Sequence, residues 1–319
     1  MATGQLEAPV IIGGINRSGT TLMRRLLGSH SQIAIPPDEL CYFRDGVDPR
    51  APLAGREELE RDLRELLATP KVRKWGLDEE GALAAAREAE VTHRGLYTLL
   101  LDLYRRKAGK PRVGEKTVGN EFKLDLLDSW FGGVRFVHVV RNPLDVWASS
   151  HHHERNQPRV RPSQPNRVLQ WARLWNESAA LGLHRSFTEP DRYVLVRYED
   201  LVARPAEVLE RVCAVVGVEL EPERMLAMSD YEDKENSSFG DAAGGTYDGF
   251  IRRSDDVDRR GDITPDELET LLSLCGERAY LVGYDLGDGA PPMHVPPRLA
   301  VSFAARRAAA KAQRLLTRS

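Results

Sequence analysis

The sequence predicts an α/β protein in which helices cover both faces of a central parallel sheet. A short apolar run at 10–12 is followed by two glycines and an amphipathic helix. Further β-branched, apolar runs at 135–140 and 193–197 alternate with helical patterns. Strands that alternate with helices form parallel sheets that are buried on both faces.

The composition limits the classes of function. The chain has 319 residues, of which 41% are hydrophobic, enough for one large α/β domain. A formal net charge of −3 gives no overall attraction to nucleic acid, so no nucleic-acid partner is expected. Three scattered cysteines argue against a disulfide framework and a zinc cluster. Residues 1–9 lack the regions of a signal peptide, and no window has ~20 apolar residues. We therefore expect a cytoplasmic protein without a transmembrane segment.

The loop after the first strand predicts an anion site. Backbone N–H groups of a glycine-rich loop and the positive end of a helix dipole together favour a phosphate. The spacing of Gly14 and Gly19 matches the loop G-x-x-x-x-G-K-[ST], but Thr20 replaces its lysine, and the cation lies inside the loop as Arg17. The fold is therefore P-loop-like, a three-layer sandwich. A P-loop kinase or nucleotidase using ATP and Mg²⁺ remains an alternative, as does a plain glycine turn.

The spacing of apolar residues predicts helices in two segments. In the first helix the apolar residues share one face, so Arg24 and Arg25 are expected to face solvent. Residues 51–110 have helical patterns without an evident strand, and we interpret them as a helical insertion, a natural place for a substrate lid.

Charged residues follow three further strands. A strand predicted at 31–35 leads through two prolines to Asp38 and Glu39, either of which could act as a general base. Capping of a turn is the alternative for Asp38. The strand at 112–116 ends in Lys116, and the strand at 135–140 runs into Arg141. Exposed surface charge is the alternative for both cations.

Four segments together resemble the PAPS-dependent sulfotransferases, which use 3′-phosphoadenosine 5′-phosphosulfate. They are closest to the bacterial branch with an Arg-Ser-Gly-Thr-Thr loop, which is related to tyrosylprotein sulfotransferases. The motifs are Asn-Arg-Ser-Gly-Thr-Thr-Leu at 16–22, Gly-Glu-Lys-Thr at 114–117, Arg-x-Pro-x-Asp-Val at 141–146 and Tyr-Glu-Asp-Leu at 198–201. Val118 departs from the family pattern, which has proline there.

The resemblance implies the cofactor and the residues that bind it. PAPS would be the co-substrate, and no metal would be required. The 5′-phosphosulfate would lie in the loop, the 3′-phosphate against an arginine and a serine eight positions later, and the adenine near a tyrosine. These binding residues would be Arg17, Ser18, Gly19, Thr20, Thr21, Arg141, Ser149 and Tyr198.

The resemblance also implies a catalytic set and a class of acceptor. Lys116 would face the bridging oxygen of the leaving group, and Arg17 would stabilise the transferring oxygens. Counting from Arg17 aligns the family's acidic base with Asp38, which we favour over its neighbour Glu39. The acceptor would be a hydroxyl of a small molecule or of a carbohydrate or lipid conjugate. A non-catalytic anion-binding member of the fold is a further alternative.

The remainder of the chain is less informative. The resemblance also implies a basic segment that helps to bind the 3′-phosphate, with Arg252, Arg253, Arg259 and Arg260 as its candidates, and an exposed loop is the alternative. The three consecutive histidines at 151–153 lack a partner set for a metal site. We expect a sulfotransferase domain at 1–290 and a basic helical tail at 291–319, which has six basic residues from Arg298 onward. A frayed appendage is our interpretation of this tail, with a membrane-surface helix or a homodimer contact as alternatives.

Overall fold

The computed structural model describes residues 6–43, 48–155, 167–228 and 260–286. The chain divides into two compact units, one from 1–141 with 181–258 and one from 142–180 with 259–319. Arg252, Arg253, Arg259 and the tail at 291–319 lie outside the described residues. The domain boundary at 290 therefore stays a prediction.

The first unit contains the predicted parallel sheet. It has five strands in the order β2-β3-β1-β4-β5, and every neighbouring pair is parallel. The predicted second strand at 31–35 is shorter than expected, and the other predicted strands are confirmed. The strands are β1 Val10–Gly13, β2 Ile33–Ala34, β3 Arg112–Lys116, β4 Arg135–Val140 and β5 Tyr193–Arg197.

Helices connect the strands along the chain, as an alternating α/β pattern requires. Gly109, Gly132 and Gly217 cap helix C-termini in left-handed conformations. The helices are α1 Thr20–Gly28, α2 Arg56–Ala68, α3 Pro70–Arg73, α4 Glu79–Ala86, α5 His93–Ala108, α6 Leu124–Phe131, α7 Pro143–Arg155, α8 Arg167–Thr188, α9 Tyr198–Ala203, α10 Pro205–Val216, α11 Pro222–Ala227 and α12 Pro265–Val282. Short 3-10 helices span Asn120–Lys123 and Arg260–Asp262.

Each face of the sheet carries its own apolar cluster, because successive side chains of a strand point to opposite faces. On β1, Val10 and Ile12 pack in one cluster, whereas Ile11 packs in the other. Helices α1 and α10 contribute to the first cluster, and α5 and α6 contribute to the second. The described part of the first unit is therefore a three-layer sandwich, as the sequence predicts.

The segment 51–110 is helical, which confirms the expectation. It forms α2 to α5 between β2 and β3. In α5, Leu96 and Leu100 are buried in the same cluster as Phe136 of β4, so the insertion helps to cover one face of the sheet. Its use as a substrate lid stays a prediction.

The expected exposure of the two arginines in α1 is wrong. Arg24 and Arg25 are buried, each with 4% of its surface exposed. Helix α11 packs against α1, and Arg224 Nε donates to Ser29 O at 2.7 Å. Arg24 is close to Lys116 of β3, so tertiary contacts bury more of α1 than its apolar face alone.

In the second unit, α12 begins with the capping box that the sequence predicts. Thr264 Oγ1 accepts a bond from Glu267 N, and the Glu267 carboxylate accepts one from Thr264 N. Helix α12 packs against α7, and Arg260 Nε donates to Asp145 Oδ1 at 2.6 Å.

Candidate active site

Most of the predicted site residues lie at one edge of the sheet, because the carboxyl ends of parallel strands meet there. Lys116 is the last residue of β3, and Arg141 follows β4 directly. Tyr198 follows β5 directly, and the loop with Arg17 follows β1. Four separate segments of the chain therefore bring candidate groups to the same edge.

The loop after β1 depends on residues in left-handed conformations. Gly14 has φ of 133° and Gly19 has φ of 97°, and a Cβ on Gly14 would lie 2.3 Å from Val139 O. Arg17 adopts φ of 68°, which is uncommon for a residue other than glycine. The loop therefore packs closely against the backbone of β4 and contains three residues with positive φ, a conformation found in anion-binding turns.

A distant carboxylate holds the start of this loop. Glu121, in the 3-10 helix after β3, is buried, and its Oε2 accepts a bond from Gly14 N at 2.9 Å. The two residues are 107 positions apart, and no local pattern links them. Sequence reasoning missed Glu121 for that reason.

The loop also has a buried polar atom that suits an anionic ligand. Ser18 is fully buried, and its Oγ has no hydrogen-bond partner among the described residues. Buried hydroxyl groups are nearly always bonded, so such an atom in a phosphate-type loop indicates room for a ligand acceptor. Gly19, the N-cap of α1, has no side chain to cap the first amides of the helix. Thr20 and Thr21 begin that helix, with Thr20 buried.

Arg141 connects the loop with Tyr198. Its Nη1 donates to Arg17 O at 3.4 Å, and its guanidinium carbon lies 4.4 Å from the centre of the Tyr198 ring. The ring also lies against the loop, since a Cβ on Gly19 would be 2.3 Å from Tyr198 Cδ2. A cation–π contact of this kind contributes about 0.5–2 kcal/mol to stability, and it fixes the plane of the Arg141 guanidinium. Three residues that were predicted separately are thus in one cluster.

Lys116 is paired with Glu39. Its Nζ donates to Glu39 Oε1 at 2.8 Å, and both side chains are more than 90% buried. Lys71 Nζ, from α3, donates to Glu39 Oε2 at 2.5 Å. Burial alone would raise the pKa of Glu39, but the ammonium groups of Lys116 and Lys71 outweigh it and lower that pKa to about 2. The carboxylate is therefore ionised and held by two lysines.

Asp38 faces a different partner from its neighbour. Its Oδ2 lies 3.0 Å from the exposed Lys74 Nζ, and its Oδ1 accepts a bond from Glu39 N at 2.8 Å. Trp75 Nε1 donates to Asp38 O at 3.0 Å. Asp38 thus pairs with a surface lysine and with the adjacent backbone N–H, and Glu39 is the carboxylate beside Lys116.

A second buried carboxyl group lies next to Lys116. Glu115 accepts bonds from Thr117 Oγ1 and Asn120 Nδ2. Burial raises the pKa of Glu115 to about 7, although these hydrogen bonds oppose the rise. Burial lowers the pKa of Lys116, Glu39 opposes this effect, and the charge of Arg24 lowers the pKa further. Sequence reasoning missed Lys71, Arg24 and the role of Glu115, because each depends on tertiary contacts.

Two further predicted residues belong to the second unit. Ser149 is buried in α7, and Arg260 is bonded to Asp145 of the same helix. Their roles toward a 3′-phosphate stay predictions. Within the described ranges, no group of His, Cys, Asp and Glu is arranged to hold a metal ion. The described helices include none with the length and apolar character needed to cross a bilayer.

Comparison with known proteins identifies the family. A model of the sulfotransferase family matches residues 9–222, more than half of the chain. The chain belongs to the sulfotransferase family. The matched region of this family member includes the loop after β1, Glu39, Lys116, Arg141 and Tyr198, so it contains the whole cluster described above for the first unit.

The similar curated proteins include one that is named as a sulfotransferase. Omega-hydroxy-beta-dihydromenaquinone-9 sulfotransferase Stf3 of Mycobacterium tuberculosis is 28% identical over 142 residues, 42% of this chain and 35% of its own length. Nodulation protein NoeE of Sinorhizobium fredii is 27% identical over 299 residues, 85% of this chain and 65% of its own length. The chain thus spans about a third of the length of Stf3 in this match.

A solved structure supports the fold. The sulfotransferase domain of the Synechococcus PCC 7002 olefin synthase superposes with a TM-score of 0.50 at 21% identity, covering 95% of this chain and 97% of that domain. At this level of identity, the similarity concerns the α/β architecture and leaves the acceptor open.

Proposed function

We propose that the protein transfers the sulfuryl group of PAPS to a hydroxyl of a small-molecule, carbohydrate or lipid acceptor in the cytoplasm. The acceptor oxygen forms a bond to sulfur, the bond from sulfur to the 5′-phosphate oxygen breaks, and the hydroxyl proton passes to a carboxylate. The products are a sulfate ester and adenosine 3′,5′-bisphosphate (PAP). The observation that carries the proposal is the cluster of the Arg17 loop, Arg141 and Tyr198 beside the Lys116–Glu39 pair.

The loop is assigned the 5′ end of the donor. The unpartnered Ser18 Oγ, the turn around Gly19 and the start of α1 at Thr20 and Thr21 suit a phosphate-type anion. Arg141 is assigned to the 3′-phosphate, since its planar fork can bond two oxygens at once. Tyr198 orients that fork through ring contact.

Glu39 is assigned as the general base in preference to Asp38. It is buried beside Lys116, whereas Asp38 pairs with the exposed Lys74. Lys116 would stabilise the charge that develops on the leaving oxygen, and Arg17 would stabilise the transferring oxygens. Once Lys116 turns toward the leaving group, Glu39 loses part of the charge that lowers its pKa and becomes a better proton acceptor.

Two observations bear on the alternatives. Thr20 stands where a P-loop kinase needs lysine on the β- and γ-phosphates, which disfavours ATP as donor. The name of the mycobacterial relative describes a sulfotransferase for an omega-hydroxy compound, which is consistent with a hydroxyl acceptor here.

The test compares nucleotides in a thermal-shift assay. PAP is expected to raise the unfolding temperature, because a ligand at a hundred times its Kd stabilises by about 2.7 kcal/mol. ATP with Mg²⁺ is expected to have little effect, and Arg17→Ala should abolish the response to PAP. A shift with ATP and Mg²⁺ but none with PAP would favour the kinase alternative. PAP release from PAPS with a panel of hydroxyl acceptors then separates an enzyme from a non-catalytic binder.

A further inference from the structure

The insertion supplies one of the two lysines that hold Glu39. Lys71 lies in α3, whose N-cap Thr69 accepts a bond from Val72 N. The bond from Trp75 Nε1 to Asp38 O ties the end of this segment to the loop that carries Glu39. The backbone that carries Lys71 is therefore tied to the loop of Glu39, although 40% of the Lys71 side chain is exposed.

Lys71 contacts a thiol as well as the carboxylate. Its Nζ lies 3.2 Å from Cys41 Sγ, and Cys41 Sγ lies 3.4 Å from Glu39 Oε2. Cys41 has φ of 55°, and its backbone N donates to Thr117 Oγ1 at 3.2 Å, next to Lys116. Three side chains from two segments thus form one contact group, defined here as the Glu39 group: Glu39, Cys41 and Lys71.

We propose that Lys71 is a positioning residue for sulfuryl transfer, holding Oε2 of Glu39 so that Oε1 is presented to the acceptor hydroxyl when Lys116 engages the leaving group. This inference rests on the proposed function. It assigns the insertion a part in the reaction that is separate from any contact with the acceptor.

Each carboxylate oxygen of Glu39 bonds to a different lysine. Oε1 bonds to Lys116, which the reaction redirects toward the leaving group, and Oε2 bonds to Lys71, which has no such second task. A carboxylate held at one oxygen keeps its orientation when the other oxygen is released. Without Lys71, Glu39 retains Lys116 as its ammonium partner, and the pair competes with the engagement of the leaving group.

Several charges surround Glu39, and each belongs to a named element. Lys116 and Glu115 come from β3, Lys71 from α3, and Asp38 and Cys41 from its own loop; Arg24 of α1 lies beside Lys116. Removing Lys71 deletes one of the two cations that lower the pKa of Glu39, so that pKa rises. The acidic limb of the rate profile should therefore move to higher pH.

The experiment compares Lys71→Met, Lys71→Arg and the matched control Lys74→Met, three residues further along, which alters the partner of Asp38. We expect Lys71→Met to lower kcat about tenfold or more while the KM for PAPS changes less than about threefold, with its acidic limb shifted upward. Lys71→Arg should recover most of the rate. Lys74→Met should match the unaltered protein. Full activity and an unshifted profile in Lys71→Met, or the same loss in Lys74→Met, would overturn the inference.

A thiol reaction gives a readout that needs no turnover. Cys213 and Cys275 are buried, and burial raises the pKa of each, so Cys41 should react first with iodoacetamide. Lys71→Met should slow this alkylation several-fold, because the ammonium group stabilises the thiolate, and Lys74→Met should not. Equal alkylation rates in Lys71→Met and the unaltered protein would overturn the contact on which the inference depends. Failure of the unaltered protein to bind PAP or use PAPS would instead overturn the proposed function, and this role with it.

Discussion

At the scale of single residues, the buried ion pair of Lys116 and Glu39 is the feature on which the proposed chemistry depends. Burial lowers the pKa of Lys116, and the Glu39 carboxylate opposes that effect. Motifs in the sequence identify Arg17, Lys116 and Arg141, because each lies in a local pattern at a strand end. Motifs do not choose between Asp38 and Glu39, since the choice depends on which carboxylate faces Lys116 across 77 residues. Glu121 and Lys71 carry no local signal at all.

The assignment of the base can be tested by two single changes. Glu39→Gln should lower kcat about a hundredfold, because general base catalysis contributes about 10²–10⁴-fold. Asp38→Asn should change kcat less than about fivefold, since its side chain pairs with exposed Lys74 and accepts a bond from the adjacent Glu39 N. The rate of PAP release against pH measures both, and a large loss in Asp38→Asn with a small one in Glu39→Gln would reverse the assignment.

At the scale of elements, the apolar run and the glycines predict the strand–loop–helix motif of β1 and α1 correctly. The burial of Arg24 and Arg25 is not predicted, because helical periodicity identifies only the apolar face of a helix and gives no signal for other elements that pack around it. β2 is shorter than its apolar run, ending at Ala34 before the two prolines, which cannot donate ladder hydrogen bonds.

The loop conformation yields a prediction at this scale. Gly19→Ala places a methyl group against the Tyr198 ring and strains a left-handed residue, at a cost of about 1–3 kcal/mol. The affinity for PAP should fall at least about tenfold, measured by calorimetry. Gly109→Ala is the matched control, because its φ of 65° is also left-handed while its Cβ would meet no atom within 4 Å. That variant should lose stability but keep its affinity. Comparable losses of affinity in both would argue against a specific role for the loop.

At the scale of the whole molecule, the strand order places the charged residues of separate segments at one edge. The helix–strand alternation was sufficient to predict the parallel sheet and its layers, and the edge at which a cofactor would bind stays a prediction. The division into two units was not predicted, because both units contain the same kind of helical pattern and the boundary at Arg141 falls between a strand and the helix that follows it.

The stability of the protein should depend on pH through Glu115. Its pKa rises from an ordinary 4.5 to about 7 on folding, so the folded state binds the proton more tightly than the unfolded state does. The contribution of Glu115 to the free energy of unfolding is therefore fully present below pH 4.5 and is lost as the pH rises to about 7. The upper limit of this contribution is on the order of 3 kcal/mol. Glu115→Gln, which stays neutral, should flatten this decline in unfolding temperature between pH 4.5 and 7.5. Parallel curves for the two proteins would contradict the prediction.

The two ion pairs that hold Glu39 have a consequence for protein engineering. Exchanging the segment 51–110 with that of a relative, in order to change which acceptor is accepted, also exchanges Lys71. A chimera designed only from acceptor contacts would therefore lack the hydrogen bond from Lys71 to Glu39. We expect a chimera to retain its kcat when the exchanged segment has a lysine at this position of α3, or when one is restored there.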